Sequence, residues 1–104
     1  MVYVLVFQDR VRDREMYDEY VKHVHPILEK YKGKIIAIDQ VATPLEGSLA
    51  PKTVIMASFP SAVQVFAWYD SAEYRQIVEL RHQSVKTEIL LIHGLPENAG
   101  AVGA

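Results

Sequence analysis

The sequence predicts one α+β domain of order β-α-β-β-α-β, with the second helix broken in two. Three observations lead to this class. Strand-length runs of apolar, β-branched and aromatic residues recur at VYVLVF (2–7), at residues 34–43, at TVIMASF (53–59) and at EILLIH (88–93). A helical stripe lies between the first and second runs. Two helix-start signals, at Ser61 and at Asp70–Ser71, lie between the third and fourth.

Each element has a local cause. After the polar turn 9–12, Asp13 is placed to cap a helix, with Glu15 in its first turn facing the positive end of the dipole. Tyr17, Tyr20, Val21, Val24, Leu28 and Tyr31 then form one apolar stripe. Pro26 falls opposite the stripe and should kink the helix towards solvent, and Gly33 should stop it. The strand 34–43 draws its apolar content from Ile35, Ile36, Ile38 and Val41. Pro44, Gly47 and Pro51 bracket a loop that carries Glu46. Ser61-x-x-Gln64 reads as a capping box for a short helix to Tyr69. Asp70-x-x-Glu73 is a second box-like start, with Ser71 as a rival cap, for a helix to about Gln83. Gly94 and Pro96 close the domain, 1–96, and 97–104 is a Gly/Ala-rich tail.

This order is the ferredoxin-like arrangement, a four-stranded antiparallel sheet with its helices on one face. An antiparallel strand with one face in water should alternate apolar and polar residues. VYVLVF, TVIMASF and EILLI are apolar on both faces, yet the helices cover only one. A second copy of the sheet is the simplest cover, so a homodimer with its sheets face to face is expected.

The 104 residues suit one domain, and a net charge of −2 with scattered basic residues argues against a nucleic-acid partner. No apolar run reaches the roughly 18 residues of a membrane span, so no membrane partner is expected. The N-terminus reads as a strand and not as a signal peptide, and a cytoplasmic location follows as the default expectation. With no cysteine, thiolate chemistry, disulfides and zinc–cysteine sites are excluded. A Gly-rich phosphate loop, a G-x-S-x-G elbow and clustered carboxylates are all missing.

The segment 59–81 carries the sole tryptophan and an arginine on what should be a buried stripe. Arg81 shares a helix face with Tyr74, seven residues earlier. Either its guanidinium holds a carboxylate or phenolate at a pocket rim, or its head pairs with Glu46 or a backbone carbonyl. Trp68 and Tyr69 point about 100° apart, so one packs inward and the other lines a cleft or an interface. His23 and His25 lie two apart and cannot chelate one ion from a helix. No metal or cofactor is expected. His23 flanks the apolar stripe and is a candidate base, as is Glu46 if its loop folds over the cleft.

Several short motifs resemble one family. They are LEG (45–47) ahead of Pro51 and Lys52, FPS (59–61), AWYDSAEY (67–74), LR (80–81), Tyr17 and Tyr20 ahead of His25–Pro26, and KYKG (30–33). Together they resemble the domain-of-unknown-function 1330 family within the dimeric α/β-barrel superfamily, over roughly residues 2–95. The chain departs from the family pattern at Lys32, often glycine there, and near Lys52, where arginine is common. The resemblance implies the ferredoxin-like fold and the dimer, and it implies no reaction. The functional expectation is a small, partly apolar anionic or phenolic ligand in a cleft between helices and sheet. Tyr20, His23, Trp68, Tyr69, Tyr74 and Arg81 would line it. Were it an enzyme, it would be cofactor-free, with His23 or Glu46 as base and Arg81 as anion stabiliser. The alternatives are a non-catalytic ligand-sensing module and a purely structural dimer.

Overall fold

A computed structural model describes residues 1–96. The order is β1 (Val2–Gln8), α1 (Arg14–Lys30), β2 (Lys34–Asp39), β3 (Thr53–Phe59), α2 (Ala62–Tyr69), α3 (Ala72–Ser84) and β4 (Thr87–His93). The strands form one antiparallel sheet of order β2-β3-β1-β4, which is the ferredoxin-like topology. The predicted tail 97–104 lies outside the described residues. Among the described residues, no helix is long and apolar enough to cross a membrane.

The caps follow ordinary rules with three corrections. Asp13 caps α1, its Oδ1 accepting from the Met16 N–H at 3.0 Å. Ser61 stands at the N-cap of α2, but its side chain makes no capping hydrogen bond, so the capping box expected there does not form. Ser71, not Asp70, caps α3 by accepting from the Tyr74 N–H at 3.1 Å. Asp70 instead ends α2 and pairs with Arg75. The third correction concerns Gly33, which was expected to be the helix stop. The left-handed residue that turns the chain out of α1 is Lys32, at φ 66. Gly33 is needed for space, since a Cβ there would lie 2.7 Å from the Phe59 ring.

β2 ends at Asp39 and not at Thr43. Its pairing with β3 slips between Ile35 and Ala37, and Asp39 then accepts from the Val41 N–H at 2.7 Å, which turns the chain away from the ladder.

Register assigns the two sheet faces. Val2, Val4, Val6 and Gln8 pair with Phe59, Ala57, Ile55 and Thr53, and all face the helices. Phe59 is fully buried and meets Trp68 of α2 at 5.7 Å between ring centroids. On the other face stand Tyr3, Leu5, Phe7, Val54, Met56 and Leu90, which no element of the described chain covers. The apolar residues on both faces of the strands therefore sit as expected.

Candidate functional site

α1 packs against α3 and leaves a cleft of about 320 Å³ between itself and the sheet. Its floor is apolar, built from Val4, Val6, Ile55 and Ala57 with Ile35 of β2. Val21, Val24 and Leu28 form an apolar roof. The wall is polar. Tyr20 comes from α1, Trp68 from α2, and Tyr74 and Arg81 from α3.

The wall is assembled by helical spacing and by the break between α2 and α3. The break turns at Ser71, whose N–H and hydroxyl both donate to the Trp68 carbonyl. That turn stacks Trp68 against Tyr74, with ring centroids 4.7 Å apart. A span of seven residues then puts Arg81 two turns further along the same face of α3, about 10 Å from Tyr74 along the axis. A bridge outside the cleft holds α1 to α3, with the Lys30 ammonium and the Tyr31 hydroxyl both donating to Glu73 Oε1. Those two bonds hold the Glu73 carboxyl below its ordinary range.

Within the wall, the hydroxyls of Tyr20 and Tyr74 meet at 2.9 Å. Burial, and then Tyr74, push the Tyr20 hydroxyl well above the ordinary phenol range, against the opposing pull of Arg81. Tyr20 is therefore neutral and able to donate. Arg81 is 4% exposed, and burial alone would lower its pKa. The Tyr74 and Tyr20 oxygens beside it more than offset that, so it stays a cation. Among the described residues Arg81 forms no salt bridge. Its Nη2 makes one long contact, 3.5 Å to His82 Nε2, and its Nε has no partner. The Trp68 Nε1 is likewise buried and unpartnered. At the far end of the cleft, Gln8 is 3% exposed and accepts from the Tyr17 hydroxyl at 3.0 Å.

Of the residues expected in the cleft, Tyr20, Trp68, Tyr74 and Arg81 line it. Tyr69 does not. It packs on the far side of Trp68 and Tyr74, with the Arg75 guanidinium 4.6 Å from its ring centroid. His23 is turned to solvent, where it meets Glu19 at 2.9 Å, because its position falls one flank beyond the stripe. Glu46 stands in the exposed loop 40–50, outside the cleft, and does not pair with Arg81. Gly47 beside it has φ 79, the left-handed turn that glycine favours. Arg14, Asp18 and His25 border the cleft at its exposed rim, and Arg14 pairs with Asp18 at 3.6 Å. Neither Gln8 nor Tyr17 is among the residues the sequence places in the cleft. Extending the alternation of Val2, Val4 and Val6 by one step would have placed Gln8 on the buried face. Among the described residues, no group of three or more His, Asp or Glu side chains is placed to hold a metal ion.

The fold has clear structural neighbours. A protein of unknown function from Rhodopseudomonas palustris superposes with a TM-score of 0.76 at 22% identity, covering 91% of this chain and 82% of that one. A putative antibiotic biosynthesis monooxygenase from Nitrosomonas europaea follows at TM-score 0.63 and 15% identity, covering 92% and 100%. An uncharacterised NIPSNAP domain protein from Burkholderia xenovorans gives TM-score 0.60 at 10% identity, covering 96% and 100%. At these identities the likeness is one of fold. No curated protein matches the chain in sequence. A family model described as a domain of unknown function (DUF1330) matches residues 1–95. The chain thus belongs to the DUF1330 family and has the ferredoxin-like fold.

Proposed function

We propose that the cleft beneath α1 binds a small molecule with an apolar body and one anionic or phenolic end, held against Arg81. The observation that carries this reading is the buried Arg81 guanidinium, which has no counter-ion among the described residues. Burying a charge is costly unless it is paired, and a ligand anion supplies the pair. The apolar floor and roof take the rest of the ligand. Binding is favoured over proton abstraction, because the acceptors that border the cleft, Asp18 and His25, stand at its exposed rim. His23 and Glu46 therefore lose their geometric support as bases. The reading is a ligand-holding or ligand-sensing module that needs no cofactor. A thermal-shift panel of small carboxylates, phenols, amines and neutral analogues tests it. Carboxylates and phenols should raise the melting temperature of the wild type and leave Arg81→Met unmoved. Equal shifts by amines would sink it.

The open face of the sheet supports a second statement, about assembly. Leu5, Phe7, Val54, Met56 and Leu90 form an apolar surface on the side away from the helices. We propose that a second copy of the chain covers it in a two-fold homodimer, since such a surface is self-complementary across a two-fold axis. Light scattering at micromolar concentration tests this, and a stable monomer would contradict it.

A further inference from the structure

The hydroxyl pair of Tyr20 and Tyr74 holds two protons but makes only one mutual hydrogen bond at 2.9 Å. Whichever oxygen accepts, its own proton is left over. The charged neighbour of both hydroxyls is Arg81, which can only donate. Among the described residues, no protein group accepts that second proton. The two buried unpartnered groups in the same wall, Arg81 Nε and Trp68 Nε1, are donors as well. The one buried side-chain acceptor elsewhere in the lining, Gln8 Oε1, is already engaged by Tyr17. Every unsatisfied group found in the wall is therefore a donor.

From this donor surplus we infer that the ligand is a carboxylate carrying a second oxygen acceptor next to it, as in a 2-oxo acid or an ortho-oxygenated aromatic acid. This rests on the cleft being a ligand site. The carboxylate meets the Arg81 guanidinium, and the neighbouring oxygen accepts the spare proton of the tyrosine pair. An ammonium group at the same place would face only donors and is rejected. The lining discriminates by hydrogen-bond polarity, because a buried donor left without an acceptor costs more than a bond gained on the surface.

Four probes with one phenyl body separate the outcomes: benzoylformate, phenylacetate, phenylglycine and benzylamine, each titrated into the wild-type protein by calorimetry. Benzoylformate should bind about fivefold or more tighter than phenylacetate, the worth of one further hydrogen bond. Phenylglycine should bind more weakly than phenylacetate, and benzylamine should give no saturable heat. Either tyrosine alone still has one proton to donate, so Tyr20→Phe and Tyr74→Phe should each keep the benzoylformate preference. The double variant Tyr20→Phe/Tyr74→Phe should lose it while still binding phenylacetate. Equal affinity of the wild type for benzoylformate and phenylacetate overturns the inference and leaves the anion site standing. Phenylglycine binding as tightly as phenylacetate overturns it too. If no carboxylate of the four binds, the ligand site itself is refuted. The comparison among probes is made on the wild type, so it stands even where the double variant does not fold.

Discussion

Tyr20 of α1 and Tyr74 of α3 join hydroxyl to hydroxyl at 2.9 Å, and this bond ties the two helices together within the polar wall of the cleft. Tyr74 is fully buried and Tyr20 nearly so, so removing either oxygen strands the other away from bulk water. Tyr20→Phe should cost about 1–2 kcal/mol of unfolding free energy. Changing both residues to Phe should cost less than the sum of the single changes, because the pair is lost only once. Urea denaturation of the three variants measures this.

The same pair sets a pH dependence. The folded state holds the Tyr20 hydroxyl above its ordinary value, chiefly through burial. Above about pH 10 the unfolded chain gives up that proton and the folded chain keeps it. The unfolded state then binds fewer protons, so the stability that Tyr20 contributes is complete below about pH 10 and declines as the pH rises further. Denaturation midpoints of the wild type should fall across this alkaline range more steeply than those of Tyr20→Phe.

Arg81 should contribute little to stability and prove a requirement for binding. The tyrosine oxygens beside the guanidinium offset the cost of burying it, so without a counter-ion Arg81 adds little net stability to the free protein. Arg81→Met should therefore change unfolding free energy by less than about 1 kcal/mol, as measured by chemical denaturation without ligand. A large loss would mean that Arg81 is a structural residue paired inside the protein.

The exit of α1 carries opposite expectations at adjacent positions. Lys32 adopts φ 66, where a side chain is strained, so Lys32→Gly should stabilise by roughly 0.5–1 kcal/mol. Gly33→Ala would drive a methyl to 2.7 Å from the ring of the fully buried Phe59 and should destabilise by about 2 kcal/mol or more. Melting curves of the two variants should move in opposite directions.

The uncovered sheet face predicts the outcome of a charge placed there. Leu90 is 55% exposed in the single chain and lies on the face away from the helices. Leu90→Glu should convert a dimer to a monomer in light scattering, with the helix content by circular dichroism retained. A wild-type monomer would remove the premise.

Much of this fold was legible because its signals are local and periodic. The strands, the stripe from Tyr17 to Tyr31 and the cap at Asp13 each depend on neighbours a few residues away. The face shared by Tyr74 and Arg81 followed from helical spacing alone. What spacing does not encode is depth. His23 is one flank beyond the stripe, and a shift of about 100° around the axis separates cleft from solvent. Glu46 depends on where a loop with no periodicity lies, and it lies outside the cleft. Gln8 escaped notice because it ends a strand next to polar residues, while its burial depends on Tyr17 closing over it from α1. The slip at Ile36 that shortens β2 is a matter of pairing between strands, which residue preferences within one strand cannot report.

Trp68 is the sole tryptophan of the chain and lines the cleft beside Tyr74, so its emission reports directly on what enters. The most direct measurement is a fluorescence titration of phenylacetate into the wild type and Arg81→Met. A saturable change in Trp68 emission in the wild type, weakened at least about tenfold in Arg81→Met, is the predicted result. No saturable change in the wild type, or the same binding curve in both proteins, would contradict an anion site at Arg81.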